Sequence, residues 1–298
     1  MSAPAVALLL SGCASSGVSE HVARTAAQLQ RQSDADSLAA AGVLLALRNK
    51  PQALVLLARA SAAAPERPEL LWLRAHLCEE EPSCNPQADE DRLRQVSPDN
   101  GAGWLGALTR AVKAHDEAVR DAALISIGHT GRVDIYWTTL VGRLSLAAAQ
   151  TGKMSPSDAM INMTGVISWL AIPAYAPASQ SCIGERLKRP EILEACRGLA
   201  SAFENGDTVI TEMLGVEIAK RVWPEGSPEW KAAVERRRVY DYRVAAVGAS
   251  GSATRSQAQA LRYLAWSREW HREQEVMRAE LLDAGKPPDP PPIAGSSS

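Results

Sequence analysis

Apolar residues recur at helical spacing on both sides of a break at residues 49–51, and this pattern constrains the fold more than any other feature of the sequence. The recurring residues are Leu38, Ala41, Leu44 and Leu45 before the break, and Ala53, Leu54, Leu57 and Ala60 after it. A spacing of three and four residues places side chains on one face of a helix. Because Asn-Lys-Pro interrupts a helix, the pattern predicts two antiparallel helices joined by a short turn.

The composition favours helices over strands throughout the chain. Ala and Leu dominate the apolar residues, only one Phe is present, and β-branched residues rarely cluster. With 298 residues, 46% of them hydrophobic, the chain is long enough for one large domain or two ordinary ones. We therefore expect an all-α fold. The 32 Lys plus Arg nearly balance the 34 Asp plus Glu, and the formal net charge is -2. Because the chain has no excess of positive charge, we do not expect nucleic acid as a partner.

The hairpin resembles a tetratricopeptide repeat, whose second helix carries small and large apolar residues before a terminal proline. The residues at those positions are Ala53, Leu57, Ala60 and Pro65. Three tryptophans then follow at intervals of 32 and 33 residues, namely Trp72, Trp104 and Trp137. The resemblance implies hairpins stacked as an α-solenoid over residues 34–172. The alternative is an irregular helical domain in which the tryptophan spacing is accidental.

A stretch rich in Pro, Ala and Ser at 173–180 is typical of a loop, and we place a boundary between two helical regions there. The C-terminal region, 173–285, contains patterns for helices at 190–205, 207–222 and 228–247. Further apolar residues predict one long helix over 253–284, ended by Gly285. The Pro-rich residues 286–298 cannot pack a core and predict a disordered tail.

The first residues combine an apolar run, small residues and a cysteine. Residues 3–10 are apolar and lead into Leu10-Ser11-Gly12-Cys13, which is the layout of a secretory leader and its cleavage site. These four residues resemble the lipobox of bacterial lipoproteins, in which an aliphatic residue and two small residues precede a cysteine. The alternative for the same stretch is a disordered, Ala-rich N-terminus.

The resemblance implies that residues 1–12 are a signal peptide and that Cys13 carries lipid. Several acyl chains on that residue hold a protein firmly, whereas one chain binds a membrane only marginally. Residues 13–33 then link the lipid to the helical body. We expect the protein on the periplasmic side of a membrane in the cell envelope, with the outer membrane preferred.

The other four cysteines form two local pairs, Cys78 with Cys84 and Cys182 with Cys196. Export permits disulfides, and this connectivity closes two short loops. A zinc site is the rival interpretation, but neither spacing is CxxC and no histidine pair accompanies the cysteines. Isolated buried thiols are the third interpretation. We predict the two disulfides and no metal.

No motif in the sequence identifies an enzyme. The five histidines lack the spacing of a metal or nucleophile site, and residues 271–275 do not match HExxH. The glycines near 152 and at 248–251 match neither a phosphate-binding loop nor a nucleophile elbow. The remaining candidates for paired carboxylates are Glu204, Asp207, Glu212 and Glu217. We predict no catalytic residue and no cofactor.

Eight tryptophans stand against the single Phe. Trp at a fixed phase of a helical repeat usually packs inside the repeat, so we expect Trp72, Trp104 and Trp137 in the core. Trp223 and Trp230 flank a Pro-Glu-Gly-Ser turn and are the candidate partner-binding residues, with a small buried cluster as the alternative.

Together these features predict a non-enzymatic, membrane-anchored scaffold that binds an envelope protein or a peptide on a concave helical surface. Assembly lipoproteins of the pilotin type and toxin-neutralising immunity lipoproteins are similar in location and size. Two alternatives remain open. One is a cell-wall hydrolase that uses acids of the C-terminal half, and the other is a purely structural envelope protein.

Overall fold

The computed structural model describes residues 15–79, 81–248 and 256–291. Those residues contain fifteen α-helices, a 3-10 helix at Gly184–Lys188 and one isolated β-bridge, but no strand. The prediction of an all-α fold is therefore confirmed. The lipobox and its Cys13 lie outside the described residues.

The helices follow one another with short connections. They are α1 (Ser15–Leu29), α2 (Ala35–Ala46), α3 (Lys50–Ala63), α4 (Pro68–Cys78), α5 (Gln87–Val96), α6 (Ala102–Lys113), α7 (Glu117–Gly128), α8 (Trp137–Gln150), α9 (Pro156–Leu170), α10 (Ala176–Ser181), α11 (Pro190–Glu204), α12 (Val209–Val222), α13 (Pro228–Gly248), α14 (Gln257–Glu269) and α15 (Glu273–Asp283).

Consecutive helices pack as hairpins, which stack into one body. The paired helices are α2 with α3, α4 with α5, α6 with α7, α8 with α9, and α11 with α12. Distant parts of the chain also meet, because α2 and α14 both pack against α8 and α9. In an open solenoid each repeat contacts only its neighbours. The contacts of α2 and α14 with α8 and α9 join helices that are far apart in the chain, so the stack is more compact than an open solenoid.

The helix α2 lies at the centre of the N-terminal half. Its Ala39, Ala40, Ala41 and Val43 are completely buried. A helix that is apolar and buried all round must have neighbours on every side. Gly42 allows one of them to approach closely, because an added Cβ would lie 3.2 Å from the carbonyl oxygen of Ala53 in α3.

The three regularly spaced tryptophans have different surroundings. Trp72 is buried and its indole N–H donates to the carbonyl oxygen of Ala171 at 3.3 Å, beyond its own hairpin. Trp137 is also buried, whereas Trp104 is half-buried beneath the guanidinium of Arg94, 4.2 Å from the ring centre. The predicted core position is therefore confirmed for Trp72 and Trp137, whereas Trp104 lies at the edge of the core.

A single cluster of buried apolar residues extends from Ala26 to Val276, on both sides of residue 173. At its N-terminal end, Ala26 and Leu29 of α1 are buried, so residues 15–29 of the predicted linker form a packed helix. The predicted loop at 173–180 likewise contains most of α10. The composition of these two stretches did not predict packed helices. Their apolar side chains are nevertheless buried, because α1 packs against α8 and α10 packs against α6 and α7.

Candidate binding cleft

A polar cleft runs beside α8. It consists of two adjoining cavities of about 690 Å³ and 450 Å³, which share Thr139, Arg143 and His271. Side chains from the starts of α2 and α4, from residues 132–136 and from the α14–α15 junction complete the lining. We call it the α8 cleft and define it by Arg67, Asp134, Tyr136, Thr139, Arg143, Trp270 and His271.

The turn between α11 and α12 holds three helices together at the cleft. Asp207 in this turn is 2% exposed, and its carboxylate oxygens accept the N–H groups of Ile135 at 2.9 Å and Trp137 at 2.8 Å. Its backbone carbonyl accepts the N–H of Glu273 at 2.8 Å. The Glu273 carboxylate in turn accepts the N–H of Val209 at 2.9 Å. The first turns of α8, α12 and α15 therefore meet, and carboxylates satisfy N–H groups that have no partner within their helices.

Residues 132–136 form an irregular segment that Asn100 supports from behind. The Asn100 amide nitrogen donates to the carbonyl oxygen of Asp134 at 2.8 Å and to the hydroxyl of Tyr136 at 2.9 Å. Its amide oxygen accepts the N–H of Asp134 at 2.9 Å. Tyr136 has φ 60° and ψ 29°, a left-handed conformation that costs a residue with a Cβ roughly 1–2 kcal/mol. Strain of this kind clusters at functional sites, where the surrounding structure enforces it.

Burial dominates the ionisation of the deep side of the cleft. It raises the pKa of Asp134, although Arg132, 2.5 Å from the Asp134 carboxylate, acts in the opposite direction. Burial and the neighbouring charge of Asp134 also raise the pKa of Asp207 well above its ordinary range. For Tyr136, burial raises the pKa to about 12. One oxygen of Asp134, Oδ1, is buried without a hydrogen-bond partner among the described residues.

Two arginines at the rim of the cleft differ in how closely they pair with acidic side chains. Arg67 lies between Asp36 at 2.6 Å and Glu69 at 2.7 Å, and Glu69 is only 5% exposed. Arg143 lies 3.8 Å from Asp36, and its side chain is 48% exposed. The first guanidinium is therefore fixed within the protein, whereas the second has donors that face the cleft.

Residues 270–272 interrupt the single helix predicted over 253–284, which is instead α14 and α15. The guanidinium of Arg272 donates to the carbonyl oxygens of Glu204 and Gly206, at 3.3 Å each. Helical hydrogen bonds are lost at the junction. The bonds of Arg272 to a distant turn compensate for them, together with the bond from the N–H of Glu273 to the carbonyl oxygen of Asp207. The break brings the side chains of Trp270 and His271 to the cleft.

The acids that the sequence suggested as paired carboxylates do not converge in the α8 cleft. Glu204 and Glu212 both lie beside the guanidinium of Arg236, at 3.7 Å and 3.9 Å. Glu217 pairs with the next arginine of α13 at 2.7 Å. Only Asp207 lines the α8 cleft, and backbone N–H groups occupy both of its oxygens.

The cysteines pair as the sequence predicts. Cys78 is bonded to Cys84, with the sulfurs 2.05 Å apart, and Cys182 is bonded to Cys196, with the sulfurs 2.00 Å apart. The first disulfide joins the end of α4 to the loop before α5, and the second joins the end of α10 to α11. Neither of them lines the cleft.

The two candidate partner-binding tryptophans are half-buried and lie outside the lining of the α8 cleft. The guanidinium of Arg197 covers the ring of Trp223 at 4.1 Å, and this ring also packs against the core. Binding by Trp223 and Trp230 stays a prediction. The tryptophan that does line the cleft, Trp270, carries no sequence signal, because only the unpredicted helix break brings it there.

Comparison with protein-family models, curated proteins and solved structures finds no match to this chain. Within the described ranges, no helix is long and apolar enough to cross a membrane. The same residues contain no group of three or more His, Cys, Asp or Glu arranged to hold a metal ion.

Proposed function

We propose that this protein is a non-enzymatic binding scaffold and that the α8 cleft holds a segment of a partner protein or a peptide. The observation that carries the proposal is the cleft itself. Its lining comes from α2, α4 and α8, the first helices of three hairpins, and from the α14–α15 junction. Stacked helical hairpins commonly bind partners on surfaces that their corresponding helices form together.

The chemistry of the lining supports a peptide as the occupant. A peptide offers N–H donors, carbonyl acceptors and side chains of both charges. In the cleft, Asp134 Oδ1 is a buried acceptor without a partner, and the half-exposed Arg143 is a donor. The ring of Trp270 adds an aromatic surface of the kind that dominates binding energies at protein interfaces.

A hydrolase is the second candidate, and one observation favours it. The raised pKa of Asp134 is a property that a general acid requires. Hydrolysis of a glycosidic bond also needs a second carboxylate as base or nucleophile. The adjacent Asp207 is poorly suited to that task, because both of its oxygens already accept backbone N–H groups. The binding scaffold is therefore preferred.

Site-specific photo-crosslinking in the native envelope tests the cleft as a binding surface. A photoreactive residue at Thr139, which lines both cavities, should give a discrete adduct with a partner. The combined Arg143→Ala and Trp270→Ala variant should lose this adduct. The matched control is the same photoreactive residue at Val55, which is 60% exposed on α3. No adduct from Thr139, or an identical one from Val55, would contradict the proposal.

We propose further that Cys13 anchors the scaffold in the cell envelope, with the outer membrane preferred. The lipobox resemblance and the two disulfides support this location. The Cys13→Ala variant should move from the membrane fraction to the soluble fraction. A chain with Cys78→Ser and Cys84→Ser is the control, because it loses a disulfide but keeps the lipid site. Continued sedimentation of Cys13→Ala with membranes would disprove the anchor.

A further inference from the structure

The proline-rich segment at residues 286–291, predicted as part of a disordered tail, lies against α13. It follows Gly285, whose φ of 68° turns the chain at the end of α15. Three side chains of α13 then donate to proline carbonyl oxygens. The bonds are Tyr242 hydroxyl to Pro287 at 3.0 Å, Arg243 Nε to Pro288 at 3.0 Å and an Arg238 guanidinium nitrogen to Pro291 at 2.9 Å.

One acidic side chain fixes the register of the segment. Asp289 lies 2.5 Å from the guanidinium of Arg243, which therefore binds both a proline carbonyl and a carboxylate. A second guanidinium, that of Arg278 on α15, lies 3.9 Å from Asp289. At the start of the segment, Lys286 donates to the carbonyl oxygen of Ala246 at 3.1 Å.

These contacts are of a kind that any proline-rich segment can make. Proline has no N–H and cannot continue a helix, so its carbonyl oxygens stay available as acceptors. Arg238, Tyr242 and Ala246 are four residues apart and lie on one face of α13. The Tyr242 hydroxyl and the guanidinium groups of Arg238 and Arg243 bind backbone carbonyl oxygens and the Asp289 carboxylate. The proline rings form no part of the buried core.

The segment lies at the surface and is joined to the protein at Gly285. Pro287, Asp289 and Pro291 are exposed, and Lys286, Pro288 and Pro290 are half-buried. Within the described residues, α13 packs against α12 and α15 through contacts that do not involve the segment. The tail is therefore a tethered occupant of this face, and we expect α13 to keep its packing against α12 and α15 when the tail is released.

We infer that the α13 face, defined by Arg238, Tyr242 and Arg243, is a binding site for proline-rich segments that carry an acidic residue, of the type Pro-Pro-Asp-Pro-Pro. The chain's own tail is the resident occupant, and a proline-rich segment of a partner protein competes for the same donors. This site is separate from the α8 cleft and does not depend on it. A short tether gives the tail an effective concentration of about 1 mM, so the tail masks the site against dilute competitors.

The test opens the site in the full chain. The open variant carries Pro287→Gly, Pro288→Ser, Asp289→Gly, Pro290→Gly and Pro291→Ser, which remove the preset proline backbone and the acid. The probe is a fluorescent peptide with the sequence of residues 285–291, and its binding is followed by fluorescence anisotropy. We expect saturable binding to the open variant and weaker binding to the wild-type chain, whose tail competes at about 1 mM effective concentration. The difference is about tenfold for a peptide Kd of about 0.1 mM.

Two matched changes identify the donors. Adding Tyr242→Phe and Arg243→Gln to the open variant should weaken binding by about tenfold or more, since two carbonyl bonds and one ion pair are lost. Circular dichroism and thermal unfolding check that this chain is folded. If it is not, the probe with Asn in place of Asp tests the same ion pair on the unaltered open variant and should bind several-fold more weakly.

Three outcomes would overturn the inference. They are no binding of the peptide to the open variant, equal binding to the wild-type chain, and binding that is indifferent to both the donor substitutions and the altered probe. Light scattering tests whether the occupant is the tail of a second copy, because it measures the mass of the protein in solution. A dimer formed by the wild-type chain and not by the open variant would mean that two copies exchange tails, and binding of a separate partner would then be rejected.

Discussion

Asp207 Oδ2 accepts the backbone N–H of Trp137 at 2.8 Å, across 70 positions of the chain. The other carboxylate oxygen accepts the N–H of Ile135. The residue at the N-cap position of α8 is Tyr136, which makes no side-chain capping bond of its own. A distant turn therefore supplies the cap of α8, which begins at Trp137.

Removing this cap should destabilise the protein. Asp207→Ala leaves two buried N–H groups without an acceptor, at about 1–3 kcal/mol each, so the free energy of unfolding should fall by about 2–6 kcal/mol. Urea unfolding followed by circular dichroism measures the change. The control is Asp283→Ala, because Asp283 pairs with Arg262 at 3.0 Å on the surface, where such a pair contributes at most about 1 kcal/mol. Equal losses in the two variants would contradict the capping role.

Glu273 should make stability depend on pH. Burial raises its pKa above the ordinary value of 4.5, although the N–H of Val209 acts against this. Above pH 4.5 the folded state therefore keeps a proton that the unfolded state has lost, and the free energy of unfolding falls as pH rises through the folded pKa. Glu273→Gln retains an oxygen for Val209 but does not ionise. The stability of the wild type relative to this variant should decrease as pH is raised from 4.5 towards neutrality.

Urea unfolding of both chains at a series of pH values measures this difference. Glu229→Gln, at the exposed start of α13, controls for the loss of a surface carboxylate. A relative stability of the wild type that increases with pH would mean that the carboxylate of Glu273 is stabilised in its charged form, and would disprove the assignment.

The features that were predicted correctly depend on residues close together in the chain. The first hairpin follows from apolar spacing and from the break at residues 49–51. The disulfides close loops with sequence separations of 6 and 14 residues. In each case the interacting groups are close in the chain, so their contact does not depend on how distant segments fold.

The α8 cleft could not be predicted because long-range contacts create it. No Gly or Pro marks the break between α14 and α15, and the bonds that compensate for it come from a turn 66 residues away. The tail shows the same limit. Its prolines exclude a packed core, as expected, but the donors that hold it belong to α13, which sequence alone does not bring near.

The two disulfides should differ in their rate of reduction. Cys182 and Cys196 are both completely buried, whereas Cys84 is partly exposed in the loop after α4. Because thiol exchange requires access to a sulfur, dithiothreitol should reduce Cys78–Cys84 first in the native protein. Timed alkylation and peptide mass mapping measure the order. Simultaneous labelling of all four cysteines under native conditions would contradict it, and labelling in urea provides the control in which both disulfides are accessible.

Gly198 and Gly128 lie where α11 crosses α7. A Cβ at Gly198 would overlap the carbonyl oxygen of Gly128, and a Cβ at Gly128 would lie 2.7 Å from the carbonyl oxygen of Ala195. These neighbours are backbone atoms, so the helices must move apart to accept a methyl group. Gly198→Ala should therefore lower the free energy of unfolding by about 1–3 kcal/mol, although Ala is the better helix former.

Gly165→Ala provides a control of opposite sign. Gly165 lies in the exposed part of α9, and a Cβ added there meets no described atom within 4 Å. The higher helix propensity of Ala then acts alone and should raise the free energy of unfolding by about 0.5–1 kcal/mol. Urea unfolding of the two single variants separates packing from propensity. If Gly198→Ala also stabilises the protein, α7 and α11 do not cross this closely, and the contact between the two halves of the chain must be looser.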